Sequence, residues 1–184
     1  ASNGYAYVTT PTKIYRTLDF VNYTECTLVG TIVGNRFSNL AEASGGRIIT
    51  GDARALWVST DGETFTRSTV MQTPANHRYT AVYPVAANPG EPYAYMLHGG
   101  AIGFQHDIYC FDLDTESIIT SYRVVRTPYS GGYVGEGLYN RGSVVLTPTV
   151  GLMIAEFVCG PMVVCRLTGG AVTHQKAFPG GWES

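Results

Sequence analysis

Lysine, long apolar runs and helical periodicity are nearly missing from this chain, and each absence excludes a class of protein. Lys13 and Lys176 are the only lysines among 184 residues, and the formal net charge is −2. Such a chain offers no basic field for nucleic acid. No apolar run approaches the length of a membrane span, so none is predicted. No apolar stripe of helical period reaches helical length, which leaves strands as the regular structure.

Residue patterns for known chemistries are also scarce. The sequence has no Gly-x-Ser-x-Gly elbow, no P-loop and no dinucleotide-binding fingerprint. The four cysteines, Cys26, Cys110, Cys159 and Cys165, lack zinc-ligand spacing. We expect them to be free, buried thiols, and a cross-strand disulfide between Cys159 and Cys165 is the alternative. We therefore predict no metal and no cofactor, and the redox compartment stays open.

Glycine and tyrosine, in contrast, are abundant. The chain has 22 Gly, 13 Tyr and 9 Pro with only 14% charged residues. This composition fits many short strands joined by tight turns, and the length suits one domain.

The stretch Leu56–Thr66 has the pattern of a β-hairpin. A β-branched and aromatic run enters an Asp-Gly turn, and an alternating run leaves it. The order Ser-x-Asp-Gly-x-Thr-Phe over residues 59–65 resembles the Asp-box of sialidase-like β-propellers, with Phe65 where that family usually has Trp. The resemblance implies that Asp61 accepts hydrogen bonds from the turn amides beside Gly62, and that Phe65 fills the space beneath them.

The hairpin recurs along the chain at intervals of about 40 to 55 residues, as radial β-sheet repeats do. Upstream, Asp19 aligns with Asp61, and Phe20 replaces the turn glycine. Downstream, Asp112 marks a third turn and Gly169-Gly170 a fourth. The third unit, an apolar strand ending in Gly-Gly and then Tyr109-x-x-Asp112, also resembles a kelch repeat. We single out five residues as structural turn residues: Asp19, Asp61, Gly62, Phe65 and Asp112.

These repeats predict an all-β fold, a β-propeller of about four four-stranded blades. A single domain over residues 1–184 would contain blades at approximately 1–34, 35–74, 75–126 and 127–184. A β-sandwich is the alternative, since strand periodicity alone does not separate the two.

The first blade lacks an innermost strand. Either the tail after Phe178 closes the ring onto it, or the missing strand comes from another chain or from a removed segment. An unpaired strand would otherwise be a pairing hazard.

Three function classes remain open. The first is a non-enzymatic binding or assembly module, such as a phage or virion tail, fibre or capsid-accessory protein, or a lectin-like receptor-binding propeller. The second is a carbohydrate-active enzyme, a glycoside hydrolase on a propeller scaffold, with Asp52, Asp107 and Glu136 as candidate carboxylates. The third is an oligomeric scaffold whose propeller is completed between chains. The missing catalytic pattern, including the sialidase Arg-Ile-Pro segment, favours the first.

The stretch 127–141 is rich in Tyr, Ser, Gly and Asn, the residue types of recognition loops. We predict binding of a glycan or protein surface there, through Tyr129, Tyr133, Tyr139 and Arg141, although part of the stretch also fits an inner strand. We also expect the chain to form a homo-oligomer or to join a larger assembly, in a virion or outside the cell. His98 and His106 bracket a Gly-Gly pair and are interpreted as loop histidines, because their spacing is not that of metal ligands.

Overall fold

The computed structural model describes residues 1–34, 36–73, 85–99, 106–123, 141–147, 150–156 and 162–178. Within these residues the chain forms strands and one 3-10 turn, Ser44–Gly46, and the strands make four sheets. This part of the chain contains no helix with the length and hydropathy needed to cross a membrane. The predicted all-β fold is confirmed.

The first sheet is an antiparallel meander of three strands, β1 (Ala6–Thr9), β2 (Ile14–Thr17) and β3 (Thr24–Glu25). Its register pairs Tyr7 with Arg16 and Val8 with Tyr15. Because side chains alternate along a strand, the first pair lies on one face of the sheet and the second pair on the other. Among the described strands none pairs with the far side of β1, as the missing innermost strand predicts.

The second sheet has five strands in the order β4-β8-β7-β6-β5. They are β4 (Thr27–Val29), β5 (Ala41–Glu42), β6 (Ile48–Gly51), β7 (Ala55–Ser59) and β8 (Thr64–Gln72). The strands β5 to β8 form an antiparallel meander, whereas β4 pairs parallel with β8.

The third and fourth sheets are four-stranded antiparallel meanders. The third contains β9 (Val85–Ala87), β10 (Tyr93–Gly99), β11 (His106–Asp112) and β12 (Ser117–Arg123). The fourth contains β13 (Arg141–Thr147), β14 (Val150–Glu156), β15 (Met162–Thr168) and β16 (Ala171–Phe178). Gly169 and Gly170 join the last two strands with φ of 59° and 74°, as a tight two-residue hairpin turn requires.

The structure corrects one strand. The sequence pattern predicts a single outer strand from Tyr23 to Val29, but the chain changes sheets at Cys26. The Cys26 N–H donates to the Ile14 carbonyl oxygen at 2.9 Å, while the next N–H, of Thr27, donates to Glu63 of the second sheet at 2.9 Å. The buried Cys26 side chain points between the sheets at this crossing. Alternation along a strand does not record which sheet the strand joins, so the second sheet gains a fifth strand.

The sheets pack face to face in chain order. One cluster of buried side chains lies between the first and second sheets and includes Ile14, Trp57 and Phe65. Another lies between the second and third sheets and includes Leu56, Met96 and Phe111. Successive sheets that pack on one another in this way are typical of a propeller.

Cys26 and Cys110 are buried and free, as expected from the sequence. Burial raises the pKa of both thiols, that of Cys110 to about 12. Cys159 lies outside the described residues, and Cys165 lies on β15.

Candidate functional site

The turn between β7 and β8 is built around one carboxylate. Asp61 Oδ1 accepts the backbone N–H groups of Glu63 and Thr64, each at 2.8 Å, and the Ser59 hydroxyl at 2.9 Å. The Ser59 oxygen in turn accepts the N–H of Gly62 at 2.9 Å. The amide donors of Thr64 and Glu63 stabilise the charged form and lower the pKa of Asp61 to about 2.

The turn between β2 and β3 has the same geometry. Asp19 Oδ1 accepts the N–H groups of Val21 at 2.9 Å and Asn22 at 2.8 Å, and the Thr17 hydroxyl at 3.1 Å. The N–H of Phe20 donates to the Thr17 hydroxyl at 2.9 Å. These amide donors hold the pKa of Asp19 well below its usual range.

The turn of the third sheet repeats the carboxylate contact without the hydroxyl. Asp112 Oδ1 accepts the N–H of Asp114 at 2.8 Å and that of Thr115 at 3.2 Å, and the Asp114 amide is the main cause of a lowered pKa at Asp112. In each of the first three sheets a carboxylate therefore closes the turn of the last hairpin, which is β2–β3, β7–β8 and β11–β12.

The position beneath the turn differs between the sheets. Phe65 is completely buried and packs edge-on against Tyr7, with ring centroids 6.2 Å apart. Its counterparts in the sequence alignment, Tyr23 and Ile118, are both exposed. The sequence alignment of these positions therefore does not extend to their packing, since of the three only Phe65 is buried.

Each later turn contacts the preceding sheet. In the second sheet the carbonyl oxygen of Gly62 accepts the Tyr7 hydroxyl at 3.1 Å. In the third, Asp114 pairs with Arg47 of the second sheet at 2.7 Å. In the fourth, the N–H of Gly170 donates to the Tyr95 hydroxyl at 3.0 Å. The turns thus form part of the joints between sheets.

The first-sheet turn, in contrast, is exposed and apolar. Leu18, Phe20 and Val21 are 65%, 69% and 77% exposed, and Tyr23 is half-exposed. Val8 is also exposed, on the face of the sheet opposite Tyr7. We call these five residues the first-sheet apolar surface. Sequence analysis missed this surface, although one signal was available, since apolar residues occupy a turn where Asp-Gly is the usual choice.

Asp52, a candidate catalytic carboxylate, has a structural position. It is completely buried, and Oδ1 accepts the N–H groups of Arg54 and Ala55 at 2.7 and 2.8 Å. Oδ2 accepts the Val33 N–H at 3.2 Å, the Trp57 indole N–H at 3.0 Å and Arg67 Nε at 2.8 Å. With five donors and no exposed surface, this carboxylate has no access to a substrate, so the suggestion that it is catalytic is corrected.

The remaining candidates lie in less completely described parts of the chain. Tyr129, Tyr133, Tyr139 and Glu136 fall outside the described residues, and Arg141 begins β13. The β10–β11 register places His98 opposite Asp107 and Gly99 opposite His106. Both histidines lie on strands, His98 on β10 and His106 at the start of β11, so their interpretation as loop histidines is wrong, and they are not cross-strand partners. The described residues contain no cluster of three or more histidine, cysteine or acidic side chains suited to a metal ion.

Comparison with known proteins supports the fold. No family model matches the chain, and no curated protein sequence matches it. Its structure is similar to apo AztD from Citrobacter koseri, with a TM-score of 0.56 and 15% identity over 98% of this chain and 46% of that chain. It is also similar to Kuenenia stuttgartiensis hydrazine synthase, with a TM-score of 0.61 and 13% identity over 96% of this chain and 46% of that one.

At such low identity these similarities concern the fold alone, which is of the β-propeller type. The chain spans a little under half the length of the solved chains that it matches.

Proposed function

We propose that this chain is a non-enzymatic binding or assembly module, a propeller segment whose first-sheet apolar surface contacts another macromolecule. The settings that this proposal favours are a virion tail, fibre or capsid-accessory protein and a lectin-like receptor-binding propeller.

The first-sheet apolar surface is the observation that carries the proposal. Four of its five members lie within residues 18–23, so the exposed apolar groups are concentrated rather than scattered. Single exposed apolar residues are ordinary, but a concentrated group of them is typical of a contact site.

Five aspartates among the described residues make structural contacts, which supports a role other than hydrolysis. Asp19, Asp61 and Asp112 close turns, Asp52 is buried among five donors, and Asp114 pairs with Arg47. Glycoside hydrolysis needs two carboxylates that face a substrate across a cleft, and these residues serve other purposes.

We also propose that the second-sheet turn is an Asp-box and that the third sheet is a kelch-like repeat. The hydrogen bonds of Asp61 and the burial of Phe65 support the first assignment. The meander from β10 to β12, with Asp112 closing its turn, supports the second. Both motifs are architectural and agree with a binding role.

The predicted recognition stretch 127–141 remains part of this proposal. Its tyrosines, Tyr129, Tyr133 and Tyr139, would contact a glycan or protein surface through their rings and hydroxyls, with Arg141 beside them.

The test is a panel of chromogenic glycosides, run beside a glycan array and a native-mass measurement on the same sample. We expect no chromophore release above that of the heat-denatured chain, together with glycan binding or association. Hydrolysis by the folded chain, abolished when one carboxylate is changed to its amide, would overturn the proposal. So would a monomer that binds no glycan.

A further inference from the structure

We propose that Asn22, in the turn of the first sheet, is an acceptor for an N-linked glycan whose first sugar packs on Phe20. The inference goes beyond the proposed function and does not depend on it, because the attachment is measured on the chain itself. It assigns a modification site to a turn that the proposed function treats only as a contact surface.

Asn22 begins a glycosylation sequon. The stretch Asn22-Tyr23-Thr24 has the pattern Asn-x-Thr, with a residue other than proline in the middle, which oligosaccharyltransferases recognise. The chain contains seven asparagines, and none of the others has serine or threonine two positions later. An N-linked glycan on this chain would therefore lie at Asn22.

The folded chain leaves room for a sugar at this position. Asn22, Tyr23 and Thr24 are all exposed, where the turn ends and β3 begins. Asn22 Nδ2 donates to Asp19 Oδ2 at 2.7 Å, which orients the amide. The nitrogen carries two hydrogens and glycosylation replaces one of them, so the other remains for a hydrogen bond of this kind. A glycan at Asn22 would thus extend into solvent from an amide that the turn already holds.

The attachment is a group transfer with a defined class of donor, an oligosaccharide linked to a polyprenyl diphosphate. The Asn22 nitrogen bonds to the anomeric carbon of the first sugar, while the bond from that carbon to the diphosphate oxygen breaks. The diphosphate leaves with the bonding electron pair, and a base of the transferase takes one proton from the nitrogen. Thr24 supplies the hydroxyl by which the transferase recognises the sequon.

Phe20 offers the first sugar a surface on which to pack. Its side chain is 69% exposed, two residues before Asn22 in the same turn. Val21 and Tyr23, on either side of Asn22, are 77% and 50% exposed. The C–H groups on one face of a pyranose ring are apolar and pack favourably on aromatic and apolar side chains. The acceptor is therefore flanked by side chains that suit a sugar.

Exposure of a turn does not by itself carry this inference, as the third-sheet turn shows. Residues 114–116 are also exposed, and Glu116 also has a positive φ, of 49°. That turn contains no asparagine, and its Leu113 is buried. The first-sheet turn differs from it by combining a sequon with an exposed aromatic ring.

Thr115 of the third-sheet turn is the matched position for a control. Its N–H donates to the aspartate three residues earlier, as the N–H of Asn22 does. Thr115→Asn creates the sequon Asn-Glu-Ser over residues 115–117, at the equivalent place in an exposed turn. The residue two positions earlier is the buried Leu113, so this second site has no exposed aromatic ring there.

Secretion of the full chain from cultured eukaryotic cells tests the attachment. We expect most molecules to carry a glycan that peptide-N-glycosidase removes, which leaves aspartate at position 22 in the peptide mass spectrum. Asn22→Gln and Thr24→Ala should abolish the glycan, whereas Thr24→Ser should retain it, because the sequon accepts either hydroxyl. An unmodified Asn22 in the secreted chain would overturn the inference. A glycan on the Thr115→Asn variant would then show that the transferase had reached the chain.

Urea unfolding tests the packing on Phe20, by comparing glycosylated chain with unglycosylated chain made in the bacterial cytoplasm. We expect the glycan to raise the folding equilibrium constant about fivefold, as an aromatic contact does. In Phe20→Gly, and at the Thr115→Asn site of an Asn22→Gln chain, the gain should be less than about twofold. Val70→Ser, half-exposed on β8 away from the turn, should keep the full gain. Each variant is compared with its own unglycosylated form, and an equal gain without the ring would overturn the packing.

The inference and the proposed function fail separately. A glycan on Asn22 would cover part of the first-sheet apolar surface, so association with another macromolecule is expected of the unglycosylated chain. A chain that carries the glycan but associates with nothing in either form would remove the proposed function alone. An associating chain with an unmodified Asn22 after secretion would remove this inference alone.

Discussion

Phe20 and Gly62 occupy the same position in two equivalent turns, and only Gly62 is covered by a neighbouring sheet. Both N–H groups donate at 2.9 Å to a hydroxyl three residues earlier, of Thr17 and Ser59 respectively. Both residues have a left-handed φ, 58° and 73°. The same hydrogen-bonded turn therefore occurs both where another sheet packs against it and where it is exposed. The two turns differ at this position, which is a buried glycine in the second sheet and an exposed phenylalanine in the first.

Phe20→Gly is expected to stabilise the isolated chain. Glycine adopts a positive φ without the penalty of a Cβ, so we expect the free energy of unfolding to rise by about 1 kcal/mol. Urea unfolding, at protein concentrations where the chain is monomeric, measures this. Val70→Gly is the control and should lower stability, because glycine weakens a strand. A loss of stability in Phe20→Gly would show that the ring packs within its own chain.

Gly62→Ala is expected to destabilise the joint between the first two sheets. The new Cβ would add left-handed strain and would press on Tyr7 and Asn3, at a cost of about 2–4 kcal/mol. Gly169→Ala is the matched control, since Gly169 has a φ of 59° and open space around it. It should cost only the strain, about 1–2 kcal/mol. Equal losses in the two variants, measured by urea unfolding, would contradict close packing at Gly62.

Asp52→Asn is expected to be among the most damaging single substitutions. The amide nitrogen would face donors from Trp57 and Arg67 and leave the Arg67 charge unpaired, at a cost of about 3–5 kcal/mol. Arg67→Met should cost less, because the carboxylate keeps its remaining donors. Asp114→Asn, which breaks an exposed pair with Arg47, should cost about 0–1 kcal/mol. Urea unfolding of the three variants measures the order of these losses. A small loss of stability in Asp52→Asn would contradict the prediction.

Acid is expected to destabilise the fold through the turn carboxylates. The pKa of Asp61 is lowered from 3.8 to about 2 on folding, and the pKa values of Asp19 and Asp112 are lowered as well. A depressed carboxyl pKa gives stability that is present above its unfolded value and is lost as the pH falls through the folded value. Unfolding midpoints should therefore drop between pH 4 and 2, with a smaller drop in Asp61→Asn. Thr60→Ala is the control, because Thr60 is exposed and uncharged, and its unfolding midpoints should depend on pH as those of the original chain do. The same pH dependence in Asp61→Asn would contradict the prediction.

Sequence alone predicted what short-range chemistry determines. The Asp19 and Asp61 turns depend on residues within a few positions of one another, so aligning the two stretches gave their correspondence. The four hairpins and the all-β fold follow from the same local patterns, and the structure confirms the fold.

Features that depend on distant neighbours were not predicted. Cys26 ends one strand and begins another because the second sheet offers Glu63 as a partner, and no local pattern records that partner. Asp52 was identified as a possible site residue, although its indole and guanidinium donors make it structural. The first-sheet apolar surface went unnoticed because its one local signal, apolar residues in the turn, does not record whether another part of the structure packs over them.

The short parallel strand β4 also affects how molecules of this protein can meet. Its residues Thr27–Val29 pair with Thr64–Thr66, at the start of the long strand β8. Without β4, those residues would present a sheet edge with unpaired N–H and C=O groups, on which a strand from another molecule could add. β4 therefore protects the start of β8 from the addition of a strand from another molecule, as a short edge strand does in many β-sheet proteins.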